Sequence, residues 1–176
     1  MNEMSVDDRL SRHLSKKCKF GCNVFIAPTA VVIGDVTLGD QVSVWYNTVL
    51  RGDINSIVIG HRTNIQDGVV GHLSDDYPLI VGNDVTVGHG AVIHACTIGN
   101  ECLIGMNSTI LDGVKIGCQS IIAAGSVVPV GTEIPEGSLF AGVPGRVKRA
   151  LGQVQRSNLK MWAEKYLAVA NAHRTR

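Results

Sequence analysis

The stretch IGNECLIGMNSTILDGVKIGCQSIIAAGSVV, residues 98–128, decides the fold of this chain. Its apolar anchors recur at every sixth position and are Ile98, Ile104, Ile110, Ile116, Ile122 and Val128. The apolar side of an α-helix repeats about every 3.6 residues and that of an ordinary strand every second residue, so neither element sustains a period of six. A sustained six-residue repeat is typical of parallel β-helices.

The same spacing begins much earlier in the chain. The earlier anchors are Phe20, Ile26, Val32, Leu38, Val44 and Leu50, followed after irregular steps by Ile59, Ile65, Val81, Val87 and Ile93. Each unit is predicted to be a short strand and a bend, with its anchor pointing inward. Three units close one coil of about 18 residues, and stacked coils share one apolar axis. The alternative, a β-sandwich with unusually regular strands, would require hairpin turns and strict alternation.

The chain divides into three segments. Residues 1–17 are predicted to be an N-terminal lead-in, either flexible or a short helix packed on the outside. Residues 18–145 form the predicted parallel β-helix domain. Residues 146–176 form a C-terminal helical segment packed on the β-helix, because apolar residues follow helical spacing from about 153 to 173. The predicted fold is therefore all-β with a C-terminal α-helix.

Three places interrupt the repeat. Gly71 stands where an aliphatic anchor is expected, which predicts a looser setting for the residue that follows it. Residues 73–79 (LSDDYPL) contain two aspartates and a proline and are predicted to loop outward. The prolines and glycines that begin at Pro129 indicate that the repeat ends near that residue.

Composition argues against several classes of partner. The formal net charge of +1 creates no field that would attract nucleic acid or an anionic membrane, and no apolar run approaches the roughly 18 residues of a membrane span. The polar N-terminal residues lack the apolar run of a signal peptide, so the predicted location is the cytoplasm. The five cysteines lack the paired spacing of a thiolate zinc site and are interpreted as small core-filling thiols.

Half of the six histidines lie between residues 64 and 94, at His72, His89 and His94. Three imidazoles and an open position are typical of a catalytic zinc site. His72 and His89 are about one coil apart and are expected near one edge, whereas His94 is expected near a different corner. One chain would not readily aim all three at one ion, so a neighbouring chain in a homotrimer is expected to supply the missing ligand. The remaining histidines are predicted to be solvated surface groups.

Five other polar residues lie within about one coil of His72 and suggest a site at one edge of the aliphatic repeat. They are Arg51, Asp53, Asn64, Gln66 and Asp67.

Four strings of the chain resemble the gamma-class carbonic anhydrases and their bacterial homologues. They are SVWYNTVLRGD (43–53), NIQDG (64–68), VGHGAVIH (87–94) and TIGNECLIGMNSTILDG (97–113). The similarity runs from about Phe20 to Arg149. It implies a left-handed parallel β-helix, a homotrimer, and reversible hydration of CO2 to bicarbonate at a metal site. The metal implied is Zn²⁺, while Fe²⁺ or Co²⁺ could take its place because imidazole binds all three.

The resemblance also implies roles for individual residues. His72, His89 and His94 match the three metal ligands, with His89 coming from the subunit adjacent to the one that supplies the other two. Arg51 and Asp53 match a salt bridge across the subunit interface.

The catalytic residues implied by the resemblance are Gln66, Asp67, Asn64 and Tyr166. Gln66 matches the residue that hydrogen-bonds the metal-bound water, Asn64 and Asp67 match polar neighbours, and Tyr166 matches a helix tyrosine near the metal.

Other functions remain open on the sequence. Ile54 follows Asp53 where the best-known member of the class has a glutamate, and the segment after His72 is short of acids, which predicts low activity. One alternative is therefore a non-catalytic or weakly active metal-binding trimer. Another is a thioesterase that uses the same hydroxide. A third is a hexapeptide acyltransferase in which one histidine is a general base and CoA lies between subunits.

Overall fold

The computed structural model describes residues 4–175, which form a parallel β-helix with a helix at each end of the chain. The predicted fold class, a parallel β-helix with a C-terminal α-helix, is confirmed. The helices are α1 (Val6–His13) and α2 (Gln153–Arg174). The strands are β1 (Lys19–Phe20), β2 (Phe25–Ile26), β3 (Val31–Leu38), β4 (Ser43–Val44), β5 (Val49–Ile59), β6 (Asn64–Ile65), β7 (Val70–His72), β8 (Leu79–Val81), β9 (Thr86–Val87), β10 (Val92–His94), β11 (Thr97–Ile98), β12 (Leu103–Ile104), β13 (Thr109–Ile110), β14 (Lys115–Ile116), β15 (Ile121–Ile122), β16 (Val127–Val128), β17 (Glu133–Ile134), β18 (Ser138–Gly142) and β19 (Gly145–Ala150).

Strands one coil apart pair in parallel and form three stacks along the axis. One stack runs in the order β2, β4, β6, β9, β12, β15 and β18. The long strands β3 and β5 turn a corner and pair along both halves, so they contribute to the other two stacks. One of these continues through β7, β10, β13 and β16, and the other through β8, β11, β14 and β17. The three faces agree with the predicted three units per coil.

The corners require left-handed backbone, and each corner repeats once per coil. One column consists of Asn47, Gly68, Gly90, Asn107 and Gly125, with φ between 54° and 71°. Glycine carries no Cβ penalty at positive φ, and asparagine tolerates it better than most residues. Corners of this kind separate the two- and three-residue strands of the regular coils and thereby produce the six-residue period there.

The anchors predicted from the period form the core. Ile59, Ile65, Ile93, Ile104 and Ile110 are each at most 1% exposed and belong to one continuous apolar cluster. Phe20 is the exception, since half of its surface is exposed. It lies in β1, which pairs only with β3 at the open end of the stack, so no further coil covers it.

The repeat continues past Pro129, so the predicted end there is wrong. Ile134 and Phe140 keep the six-residue step and are 3% and 1% exposed. Proline at the position after an anchor does not stop the coil, because short bends separate the strands at these points.

The predicted start of the helical segment at residue 146 is also wrong. Residues Gly145–Ala150 form β19, which returns antiparallel on β18. Gly142, with φ of 115°, opens the turn, and a Cβ on Gly145 would lie 2.0 Å from the ring of Phe140. Glycine is therefore required where the returning strand passes over Phe140. The main helix begins at Gln153, as its apolar spacing predicts.

The described part of the N-terminal segment is helical, which agrees with the second of the two predicted states. The Asp8 backbone N–H donates to Ser5 Oγ at 3.2 Å and caps α1. His13 Nδ1 and Lys16 Nζ lie 2.8 and 2.6 Å from Asp35 Oδ2, and the pair attaches the end of α1 to the β-helix. The prediction that His13 is simply solvated is therefore wrong.

The outward loop is shorter than predicted. Leu73 and Leu79 are at most 1% exposed and pack in the core, and only residues 75–77 are exposed. Arg9 Nη1 of α1 donates to the Asp75 carbonyl at 2.9 Å.

All five cysteines are free, but only two are fully buried. Cys96 and Cys102 are each 1% exposed, and burial raises the pKa of both thiols to about 12. The core-filling interpretation is confirmed for these two. Cys22 is exposed. Among residues 4–175 we find no helix with the length and apolar character needed to cross a membrane.

Two isoleucines on neighbouring strands of one face test the inward and outward orientation of the coil. Ile59 is 1% exposed and Ile80 is 39% exposed. Ile59→Ala should lower the free energy of unfolding by about 2–5 kcal/mol, because it leaves a cavity in the axis. Ile80→Ala, the matched control, should cost well under half as much. Equal losses in chemical denaturation would contradict the assigned register.

Candidate metal centre

Two of the three candidate histidines face each other on adjacent coils. His94 of β10 is the register partner of His72 of β7, and His72 Nδ1 lies 3.1 Å from His94 Nε2. The expectation that His72 shares its edge with His89 is therefore wrong. The loop before Leu79 lengthens this coil, so the residue one coil after His72 lies 22 positions later.

Asp53 and Arg51 extend this pair along the edge. Asp53 Oδ1 lies 2.9 Å from His72 Nε2, and its other oxygen accepts a hydrogen bond from Arg51 of the same chain. Burial alone would raise the pKa of Asp53, but the hydrogen bonds from His72 and Arg51, together with the guanidinium charge, outweigh burial and hold it below its ordinary value.

Asp112, which the sequence reasoning missed, occupies the other end of the pair. Its Oδ1 lies 2.6 Å from His94 Nδ1. The available signal was its spacing, because Asp112 follows His94 by 18 residues, which is one coil.

His89 lies at a separate corner, directly before Gly90 in the left-handed column. Asp67 precedes Gly68 in the coil below, and its Oδ2 lies 2.9 Å from His89 Nδ1. Within residues 4–175 of a single chain, no three histidine, cysteine, aspartate or glutamate side chains are grouped closely enough to hold a metal ion. The structure therefore brings His72 and His94 together but leaves His89 apart.

Gln66 and Asn64 form a buried polar ladder beneath this corner. They are 4% and 1% exposed. Gln66 Nε2 donates to Asn64 Oδ1 at 3.1 Å, and Asn64 Nδ2 donates to Thr86 Oγ1 at 2.9 Å. These bonds hold the Gln66 amide in one orientation beside Asp67.

Helix α2 brings Tyr166 to the same corner. Its ring packs edge-on against Trp45 with centroids 5.4 Å apart. Burial raises the pKa of Tyr166, and the carboxylate of Asp67 raises it further. His173, on the last turn of α2, lies 3.0 Å through Nδ1 from Tyr46 Oη, so the prediction that it is only solvated is wrong.

A mostly apolar groove of about 460 Å³ lies between α2 and the first stack of strands. Gln66 and His89 line one end, and Ala123 and Ala124 line the other. The helix contributes Trp162, Lys165, Tyr166 and Val169.

The outer surface beside His72 and His94 is also apolar. Val31, Val49, Val70 and Val92 stack in register on four successive coils. Val31 and Val70 are 49% and 41% exposed.

Comparisons with known proteins identify the family to which the chain belongs. A family model described as "Bacterial transferase hexapeptide (six repeats)" matches residues 17–52 and 95–129. A Methanocaldococcus jannaschii protein named "Probable carbonic anhydrase" is 51% identical over 84% of this chain and 93% of its own length. The chain belongs to the gamma carbonic anhydrase family of hexapeptide-repeat proteins.

Other members and neighbours of the family extend the comparison. The Arabidopsis thaliana protein "Gamma carbonic anhydrase 2, mitochondrial" is 39% identical over 96% of this chain, which spans 65% of that protein's length. A solved hexapeptide transferase family protein from Anaplasma phagocytophilum has a TM-score of 0.82 and 38% identity, covering 88% of this chain and 92% of its own. The gamma carbonic anhydrase family thus lies close to proteins named as transferases.

Gly71 does not loosen the setting of His72, contrary to prediction. A Cβ at this position would lie 2.6 Å from Leu50 Cδ2 and 3.1 Å from Leu79 Cδ2. Leu50 and Leu79 fill the space beside Gly71 that an aliphatic anchor occupies in other coils of this protein. Its β7 strand therefore stays packed without one.

The proximity of Asp67 to Tyr166 predicts a measurable coupling. In metal-free protein, Asp67→Asn should lower the pKa of Tyr166, because a negative charge that disfavours the phenolate is removed while the burial remains. NMR titration of ring-labelled tyrosine measures this pKa. Asp40→Asn, a control at an exposed carboxylate beside His61, should leave it unchanged. An unshifted Tyr166 in the Asp67 variant would contradict the assigned corner.

Proposed function

We propose that this protein is a metal-dependent carbonic anhydrase with a three-histidine site shared between two subunits of a homotrimer. The observation that carries the proposal is the 3.1 Å separation of His72 Nδ1 and His94 Nε2. Two imidazole nitrogens bound to one tetrahedral zinc, at about 2.0–2.1 Å each, lie about 3.3 Å apart. The two rings therefore already stand at nearly the spacing of neighbouring ligands.

The surroundings of each histidine suit a ligand. His72, His89 and His94 each have an aspartate oxygen within 2.9 Å of one ring nitrogen. A carboxylate on one nitrogen is the usual partner of a metal-bound imidazole, since it sets the tautomer and the ring orientation. The donor set fits Zn²⁺, and Fe²⁺ or Co²⁺ would also accept three imidazoles.

His89 is the reason for proposing a second subunit. It lies at a different corner from the pair, so one chain offers two ligands at one place and one ligand at another. Cyclic symmetry would bring the single ligand of each chain to the pair of its neighbour and create three equal sites. The exposed valine column beside His72 and His94 supports a protein partner on this face. In the trimer we propose that Arg51 also reaches Asp53 of a neighbouring chain.

A three-histidine metal site supplies hydroxide at neutral pH because the ion lowers the pKa of bound water to about 7. Gln66, held by Asn64, and the carboxylate of Asp67, as a hydrogen-bond acceptor, would orient this nucleophile toward CO2. Tyr166 would cover the site from the helix side. We further propose that the protein acts in the cytoplasm, a reducing compartment that suits its free cysteines.

Thioester hydrolysis is a second candidate function, and the groove favours it. Its volume of about 460 Å³ greatly exceeds what a three-atom substrate occupies. The groove begins at Gln66 and His89, so an aliphatic acyl chain lying in it would place its carbonyl beside the same nucleophile.

Acyl transfer has less support than a metal site, whereas metal binding without turnover shares the same structural support as the enzyme. A hexapeptide acyltransferase requires a single general-base histidine, which leaves the close pairing of His72 with His94 unexplained. A metal-binding trimer without turnover would keep the same contacts, and only activity measured together with metal content separates it from the enzyme.

His89→Ala should abolish tight metal binding and CO2 hydration while leaving the β-helix folded, because His89 contributes no core packing. Metal content by elemental analysis and hydration by stopped-flow pH-indicator assay measure the two effects on protein purified without oxygen. His61→Ala, an exposed histidine at another corner, is the matched control and should keep both. Unchanged metal stoichiometry in the His89 variant would exclude it as a ligand.

Mixing subunits tests the shared site. The wild-type protein should size at about three times 18.7 kDa. His72→Ala and His89→Ala trimers, each inactive, should recover some metal sites and activity after subunit exchange. In a mixed trimer, the His89→Ala subunit supplies His72 and His94, and a neighbouring His72→Ala subunit supplies His89. A monomer that binds metal tightly, or no recovery after verified exchange, would contradict the proposed sharing of the site between subunits.

Filling the far end of the groove tests thioester hydrolysis. Ala124→Trp should lower kcat/KM for a long-chain acyl thioester at least about tenfold, because a methylene chain loses its apolar contacts. Hydration of CO2 and hydrolysis of an acetyl thioester should change little. Equal loss on long and short thioesters, or no thioesterase activity in wild type, would rule out an acyl-binding role for the groove.

A further inference from the structure

Asp112 makes the shortest histidine–carboxylate contact of the three candidate ligands. Its Oδ1 lies 2.6 Å from His94 Nδ1, against 2.9 Å for the partners of His72 and His89. About one third of each side chain is exposed, and Asp112 makes no other ion pair within residues 4–175. A short contact between a ring nitrogen and a carboxylate is the geometry of a charge-assisted hydrogen bond.

The backbone holds Asp112 and His94 in fixed relative positions. The Gly113 N–H donates to the carbonyl of Ala95, the residue after His94, at 2.8 Å. On the other side, the Gly131 N–H donates to the Asp112 carbonyl at 2.8 Å. The coil before Asp112 is therefore hydrogen-bonded to Gly113, and the coil after it is hydrogen-bonded to Asp112 itself.

This contact decides which nitrogen of His94 can bind a metal. An ionised carboxylate can only accept a hydrogen bond, so Nδ1 of His94 carries the proton and donates it in that bond, which leaves the Nε2 lone pair free. The same Nε2 is the atom that faces His72 Nδ1 at 3.1 Å.

We propose that Asp112 is a positioning residue for the metal site, which holds the Nδ1 proton of His94 and presents Nε2 as the ligand for a divalent transition metal. This inference rests on the proposed metal site. Asp53 and Asp67 contact the other two histidines, but Asp53 is shared with Arg51 and Asp67 lies beside Tyr166. Asp112 is committed to His94 alone among the described residues.

The test is the affinity of the protein for zinc and for cobalt, measured by competition with a chromophoric chelator. Asp112→Ala should weaken binding about 10–100-fold, as loss of the partner of a metal-bound imidazole does. Asp112→Asn keeps an oxygen that can accept a hydrogen bond from the Nδ1–H of His94, so it should lose less affinity than Asp112→Ala and retain part of the visible cobalt spectrum. Glu133→Ala, which removes an exposed carboxylate paired with Lys115 one coil away, is the charge-matched control and should bind as wild type does.

The outcomes separate the two proposals. Wild-type affinity in Asp112→Ala, in a protein that itself binds metal tightly, would overturn the role of Asp112 and leave the metal site standing. A wild-type protein that takes up neither metal would overturn the metal site and this inference with it. Thermal unfolding of the metal-free variants adds a structural readout, and we expect unchanged midpoints. An equal fall of midpoint and affinity in both Asp112 variants would assign the residue to folding and overturn the proposal.

Discussion

Hydrogen bonding between successive coils is the constraint on which the rest of this structure depends. Strands inside each stack are paired on both sides by strands one coil away, so a residue's neighbours are set by coil length and not by a packed two-layer core. The aliphatic anchors stack along the axis because this register aligns them. In the regular coils, left-handed corners separate short strands, so the register repeats from one coil to the next. A change in the length of one coil therefore moves every polar group on the outer faces relative to its neighbours.

The candidate metal centre follows from one such change. The loop between Leu73 and Leu79 adds residues without breaking the stack, since both leucines return to the core. As a result His94, and not His89, meets His72 across the coil boundary. The next coil has the ordinary length of 18 residues, so Asp112 lies opposite His94. The pairing of His72 with His94 and the contact of Asp112 with His94 thus both follow from one register.

Helix α2 supplies what the coils do not. It crosses the corner where Asp67 and His89 precede Gly68 and Gly90, and its Trp162 and Tyr166 line the groove that begins at Gln66 and His89. Tyr166 packs against Trp45, and His173 is hydrogen-bonded to Tyr46. Trp45 and Tyr46 lie one coil before Gln66 and Asp67. This side of the β-helix is therefore covered by helix α2 of the same chain. On the side with His72 and His94, Val31 and Val70 remain 49% and 41% exposed in the described chain, and a partner subunit is proposed there.

The sequence by itself determined the β-helix, its apolar anchors and the main C-terminal helix, because the spacing of apolar residues is a local property. It also carried the family resemblance that names three histidines. It misjudged the end of the repeat, since prolines after anchors are compatible with bends, and the start of the helical segment, since a strand returns over Phe140 before the helix begins. Only the tertiary structure decided which histidine faces His72, that Asp112 contacts His94, and that Leu50 and Leu79 fill the space over Gly71. These relations join residues a whole coil apart, and coil length depends on how a loop folds back into the core, which no local pattern records.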